Sequence, residues 1–345
     1  MAKPAESFLS VLKLLVVAAA VVAAILAAIG LVAPVAAVSA VPGVTLGAVA
    51  ALTFGRIGPS VLTVLVLCVI TWVAFLVNGN VWVSASLMGL VGLALGLSCR
   101  IGLHSLVMTI AIFSSSALFP ATPPAGEIGN VAGATSTAAA ILAGGVISAI
   151  CFHLLTRGKT LPKSPIIAWQ DTSVHTIALV VTLFIGTLAV LSWDRTPVGA
   201  WLLVTIVVLS QPIDIITRRR SIERVLGTAA GALLAGLVAI VVTTEWVTIT
   251  IALLCLVLAW SFRLSHPEVE QGHRYWIYAL IWTPAMVLLA VPQGGSVTLD
   301  ADGQRVLLTV IAAIAVVLVS YAARFSIIRL ADRNRNAGSD SPAVR

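Results

Sequence analysis

The chain has 345 residues, 60% hydrophobic and 10% charged, with a formal charge of +7 and a mean hydropathy of +1.10. Soluble domains hold about 45–50% apolar residues, so one soluble core cannot cover this much apolar surface. Many uncharged runs are long enough to cross a bilayer, which makes the chain a polytopic membrane protein; its positive balance is then read as topology, not as nucleic-acid binding.

From the start of the chain, Lys3 and Lys13 precede an apolar run, Leu14–Val32. That run exceeds the roughly 7–15 residues of a signal-peptide core, so it is expected to remain as a first span. Apolar runs read against breakers then predict twelve spans. The first six are Val11–Leu31, Val35–Phe54, Pro59–Val77, Val81–Cys99, Leu103–Phe119 and Val131–Leu155. The second six are Val174–Trp193, Val198–Ile216, Val225–Thr243, Trp246–Phe262, Tyr275–Val291 and Val306–Ile328. Of the 20 basic residues, only Arg195 and Arg305 then fall on the outer side, while Glu127, Asp194, Glu245, Asp300 and Asp302 lie in outer loops. This positive-inside bias predicts both termini cytoplasmic, in the inner membrane.

The two sets of six resemble each other. In the fourth and tenth spans Trp82 pairs with Trp246 and Arg100 with Arg263. An even number of spans per repeat predicts two halves in parallel orientation, with a candidate pathway between them. The expected fold is an all-α integral membrane protein. Residues 1–165 form one six-helix repeat, 166–332 the second, and 333–345 a disordered cytoplasmic tail.

Helix interruptions are the best sequence pointer to a transporter site. Pro42-Gly43 falls mid-way along the second span and Gln211-Pro212 in the eighth, and proline frees a backbone carbonyl that needs a partner; each reads as part of a site or as a plain packing kink. Then "TRRRSIERVLGTAAG", from Thr217 to Gly231, places four arginines in a predicted short cytoplasmic turn before a Gly-Thr helix start. Gly227, Gly231 and Gly236 with neighbouring alanines read first as a close-packing helix face. Alternatively, Gly227 and Thr228 open a helix whose free N–H groups, with Arg224, face a carboxylate. Asp214 is a proton-carrying candidate, or simply a partner for Arg218 one turn on. Pro42, Gly43, Thr45, Trp201, Thr205, Gln211, Pro212, Arg224, Gly227 and Thr228 make up the expected substrate site.

Other groups read as structural. Cys68, Cys99, Cys151 and Cys255 are scattered through apolar runs and are expected to pack as small residues, with no metal and no cofactor. His266, Glu270 and His273 suit one helix face but lack a fourth ligand and read as a solvated turn. Trp72 and Trp282 lie deep in their spans, as packing residues before stacking platforms. No nucleophile–base pair stands out, so an enzyme is not expected.

The stretch Ala200–Gly231, "AWLLVTIVVLSQPIDIITRRRSIERVLGTAAG", resembles the signature of the FUSC family of fusaric acid resistance proteins and aromatic acid exporters. The shared pattern is Trp201, Gln211-Pro212, and then Arg224, Gly227, Thr228 and Gly231. Tyr278–Ala290, "YALIWTPAMVLLA", resembles the family's Thr-containing span. The first half departs from the pattern, with Arg56–Ser60 reading "RIGPS", and no large cytoplasmic domain is present. The resemblance implies export of small organic anions such as aromatic carboxylic acids. It leaves open a passive anion channel, as plant relatives suggest, or a non-transporting scaffold of envelope assembly. Expected partners are the lipid bilayer, a small organic anion and a second copy of the chain.

Overall fold

The computed structural model describes residues 17, 19–31, 34–119, 131–156, 165–193, 199–242, 244–266, 273–290 and 299–339. Among these residues there are twelve helices and no strand. In chain order they are α1 (Ala19–Leu31), α2 (Pro34–Phe54), α3 (Ile57–Val77), α4 (Val81–Ser98), α5 (His104–Ala117) and α6 (Val131–Thr156). Then come α7 (Trp169–Trp193), α8 (Ala200–Leu209), α9 (Asp214–Val241), α10 (Glu245–Ser265), α11 (Tyr275–Ala290) and α12 (Leu299–Ser339). Six segments are long and apolar enough to cross a membrane: α3, α4, α6, α7, Ile216–Val238 of α9 and Val306–Ile327 of α12. The other six helices hold shorter apolar stretches.

Local chemistry explains the element ends. Asn80 caps α4 by accepting from the backbone N–H of Trp82 and Val83 at 3.1 and 3.2 Å, which satisfies donors that a helix start leaves unpaired. Gly55 and Gly102 take left-handed φ values of 60° and 68° in the turns after α2 and α4, a region open to residues without a Cβ. Inside the helices, hydroxyls bond back to carbonyls one turn earlier, as Thr45 does to Val41 and Ser114 to Ile110.

Small residues set the helix pairings. A Cβ on Gly43 or Gly47 would run into the backbone of Ile141 or Gly145, so α2 lies directly on α6. Gly92 and Gly96 bring α4 onto Leu179 and Thr176 of α7 in the same way. Gly227 and Gly231 bring α9 onto Trp276, Ala279 and Leu280 of α11. Helix faces of this kind gain close backbone packing where lipid offers no hydrophobic drive. The helix α6 also packs on α3, and α12 on α7, α8 and α9. Pairs α4–α7 and α5–α8 join the first six helices to the second six, around a core of residues that includes Met88, Leu95, Leu183 and Leu203.

Three features differ from the sequence expectation. Pro42 lies inside an unbroken α2: its missing N–H costs one helix bond, but α2 is held along its length by α6. The eighth span is a helix only to Leu209, and α9 starts at Asp214, not Val225. Pro212 biases the preceding residue away from helical geometry, and the chain turns there. The final helix continues to Ser339, into the stretch expected as a tail.

A buried arginine–tyrosine cluster as the candidate functional site

The early start of α9 changes the meaning of its arginines. Thr217, Arg220, Ser221, Arg224 and Thr228 recur at helical spacing, and each is at most 4% exposed. Arg218 and Arg219 face outward, with Arg219 paired to Glu223 at 3.2 Å and 3.0 Å from His273. So one side of the helix carries solvated charge. The other carries two guanidiniums into the protein.

The buried pair meets α10 and α11. Arg224 donates to the Tyr275 hydroxyl at 3.3 Å, and its Nε has no partner. The Arg220 guanidinium carbon lies 4.7 Å from the centre of the Tyr275 ring, within cation–π range. From α10, Arg263 stands 5.3 and 5.6 Å from the rings of Trp260 and Tyr278 and hydrogen-bonds the Tyr278 side chain. Tyr278 in turn packs against Tyr275 and Trp282, with centroids at 5.4 and 5.8 Å. Thr228 and Thr283 add buried hydroxyls without partners. Three guanidiniums thus converge on aromatic rings. Among the described residues, Arg224 is held by a neutral phenol and not by a carboxylate. A buried cation in apolar surroundings is costly unless paired, and an incoming anion would supply that pairing.

The chain break before α9 closes on itself. The Gln211 N–H donates to Thr217 Oγ1 at 3.0 Å, and that hydroxyl donates back to the Gln211 carbonyl at 2.9 Å. The Gln211 amide donates to the carbonyls of Val208 and Ser210, and Arg220 reaches Val208 O at 3.5 Å. The carbonyls freed at Pro212 therefore have partners from the protein itself.

The expected site residues divide accordingly. Arg224, Gly227 and Thr228 lie on the buried face of α9, Trp201 and a buried Thr205 on α8, and Gln211 and Pro212 in the break between them. Pro42, Gly43 and Thr45 sit on α2, which packs on α3, α5 and α6, whereas α9 packs on α8, α11 and α12. Gly227 and Thr228 are well inside α9, so the free N–H groups of a helix start are not at these positions. What remains at Gly227 is close approach, its absent Cβ leaving room for the Trp276 carbonyl and Ala279. The side chain of Asp214, and Glu270 altogether, lie outside the described residues. Trp282 is stacked on Tyr278 and met edge-on by Trp260, and Trp72 donates to Thr135 at 3.3 Å.

Sequence reasoning assigned Arg220 and Arg263 to topology and gave Tyr275 no role. The signal for Arg220 was available, since Thr217, Arg220, Arg224 and Thr228 follow the i, i+3, i+7, i+11 pattern of one helix face. Nothing local in the sequence ties Arg263 to that face. A separate cavity of about 470 Å³ lies on another side of α9, between Arg218, Ser221 and Ile222 and the apolar Ala313 and Val317 of α12.

Among curated proteins and solved structures, no match to the chain is found. The family model described as fusaric acid resistance protein-like matches residues 177–319, from α7 into α12, and takes in the whole arginine–tyrosine cluster. Over that stretch, which includes the Trp201–Gly231 signature, the chain is similar to the fusaric acid resistance protein-like family.

Proposed function

We propose that the protein is a multi-pass inner-membrane transporter that exports small organic anions, aromatic carboxylic acids among them. Arg224 carries this reading: a guanidinium 4% exposed, with a phenol for a partner and an unpartnered Nε, inside a family domain of the fusaric acid resistance type. Thr228 and Thr283 would add hydroxyl donors to the carboxylate, and the rings of Tyr275, Tyr278 and Trp282 would flank an aromatic body. In this reading all twelve helices cross or enter the bilayer with both termini cytoplasmic, as the basic residues favour. Matched packing supports two six-helix halves of similar internal arrangement. The pairs α2–α6, α3–α6, α3–α5 and α4–α5 recur as α8–α12, α9–α12, α9–α11 and α10–α11.

The test compares Arg224→Ala with Arg219→Ala, at matched membrane expression, for transport of a labelled aromatic acid into inverted vesicles. Losing one charge-assisted bond costs roughly 1.5–3 kcal/mol, about ten- to a hundredfold in affinity. Arg224→Ala should show that loss and Arg219→Ala, whose side chain is solvated and paired with Glu223, should not. Equal transport by the two variants would remove the site from α9.

A further inference from the structure

A second buried polar cluster lies where the two halves meet, away from the arginines. Cys99 ends α4, His104 begins α5, and His175 lies one and a half turns into α7. One ligand atom from each of the three lies within 4.8 Å of the other two. Cys99 Sγ is 3.3 Å from His104 Nδ1, and the two imidazole centroids are 5.5 Å apart. Exposure is 0% for Cys99, 9% for His104 and 4% for His175. The His175 Nε2 is buried without a partner. Neighbouring backbone fixes the arrangement: the Ile167 N–H donates to the Cys99 carbonyl at 3.3 Å, and Arg100 donates to the Ile167 carbonyl at 3.0 Å.

We propose that Cys99, His104 and His175 bind one Zn²⁺ ion, which clamps the α4–α5 turn of the first half to α7 of the second. The donor set is one thiolate and two imidazoles, the nitrogen–sulfur mixture zinc takes in tetrahedral sites. With Zn–S near 2.3 Å and Zn–N near 2.0 Å, tetrahedral ligand atoms lie about 3.5 Å apart. The Cys99–His104 pair already has about that spacing, and the third ligand atom lies within 4.8 Å of both. Three protein ligands would leave the fourth position to solvent, as in other zinc sites of this ligand count. Binding exchanges the Cys99 thiol proton for the metal, releasing one proton to the buffer with no change of oxidation state. The zinc reading also accounts for the buried His175 Nε2, which has no partner in its apolar surroundings. The sequence hid this group. Cys99 and His104 are separated by four residues, His175 lies far along the chain, and only α4–α7 packing unites them.

The purified full-length protein in detergent is stripped with chelator, titrated with Zn²⁺ alone, and its bound metal counted by mass spectrometry. One ion per chain is expected. Cys99→Ser and His175→Gln should each weaken binding by at least about a hundredfold, whereas Cys68→Ser, a buried cysteine of α3, should bind as the parent does. Co²⁺ added to the unmutated protein should give a thiolate-to-metal band in the near ultraviolet that zinc removes, a result that does not depend on any variant folding. Absence of stoichiometric zinc and of the cobalt band would overturn the proposal. So would equal binding by Cys99→Ser and Cys68→Ser, or binding of Cu⁺ that zinc cannot displace.

Discussion

Thr217→Val isolates the chain break before α9. Valine keeps the shape of threonine and removes one hydroxyl, which accepts from the Gln211 N–H at 3.0 Å and donates to the Gln211 carbonyl at 2.9 Å. Thr217 is 2% exposed and Gln211 is half-buried, so water reaches the orphaned groups poorly. Leaving a buried donor or acceptor unmet costs about 1–3 kcal/mol. With two groups affected and one of them partly covered, the expected loss is roughly 2–4 kcal/mol. At roughly 2–4 °C per kcal/mol for chains of a few hundred residues, the melting temperature should fall by about 5–15 °C. The assay is a thermal scan of the protein in detergent by tryptophan fluorescence, at one scan rate. Thr217→Ser should melt with the parent. Thr53→Val, which loses only a bond back to Val49 of its own helix, should shift far less. If Thr217→Val melts within a degree or two of the parent, the break is not held by this pair of bonds.

Gly43→Ala places a methyl against the Ile141 carbonyl of α6, whereas Gly58→Ala meets nothing within 4 Å. The first should cost about 1–3 kcal/mol as overpacking and the second should be neutral, both read as folded yield in matched membranes. Tyr275→Phe keeps the ring under Arg220 but removes the hydroxyl that holds Arg224. The ligand-free protein should melt lower, while the stabilisation gained on adding benzoate should grow; an unchanged benzoate shift would place the anion elsewhere. For topology, single cysteines replacing Arg157 and Arg219 should react with a membrane-impermeant maleimide only from the cytoplasmic side. Labelling from outside would overturn the orientation.

Helix composition was legible because apolar runs and their breakers are local properties. The break at Gln211-Pro212 was legible for the same reason, since proline acts on its own carbonyl partner and on the residue before it. The extent of α9 was not. A run of arginines reads as a cytoplasmic turn by charge alone, yet the helix continues because Thr217 satisfies the break and one face of Thr217–Thr228 is buried by α11. The same error placed Gly227 at a helix start. The reading of Gly227 and Gly231 as a close-packing face matches their position against α11. Pro42 gave the opposite failure, where a breaker is overridden by the long contact with α6. Contacts between distant segments, such as Arg263 with Tyr278 or Cys99 with His175, leave no spacing signature at all.

In the proposed function, the buried arginines would gain from a mobile anionic partner. Arg220 lies against the ring of Tyr275 and Arg224 against its hydroxyl, which confines the two guanidiniums to about 12 Å or less of each other. At an effective dielectric of about 20, that separation costs at least roughly 1.4 kcal/mol in repulsion. A carboxylate about 4 Å from either one would gain roughly 4 kcal/mol by the same arithmetic. Fixing an aspartate there would capture this gain permanently and neutralise the site, leaving nothing for a substrate. Phenols and indoles instead lie against the cations by their ring faces, cation–π contacts worth about 0.5–2 kcal/mol each. The Tyr275 phenol keeps Arg224 ordered while the arginine's Nε stays without a partner. An anion entering the proposed site would find donors already positioned and would exchange part of its hydration for the unpartnered Arg224 Nε.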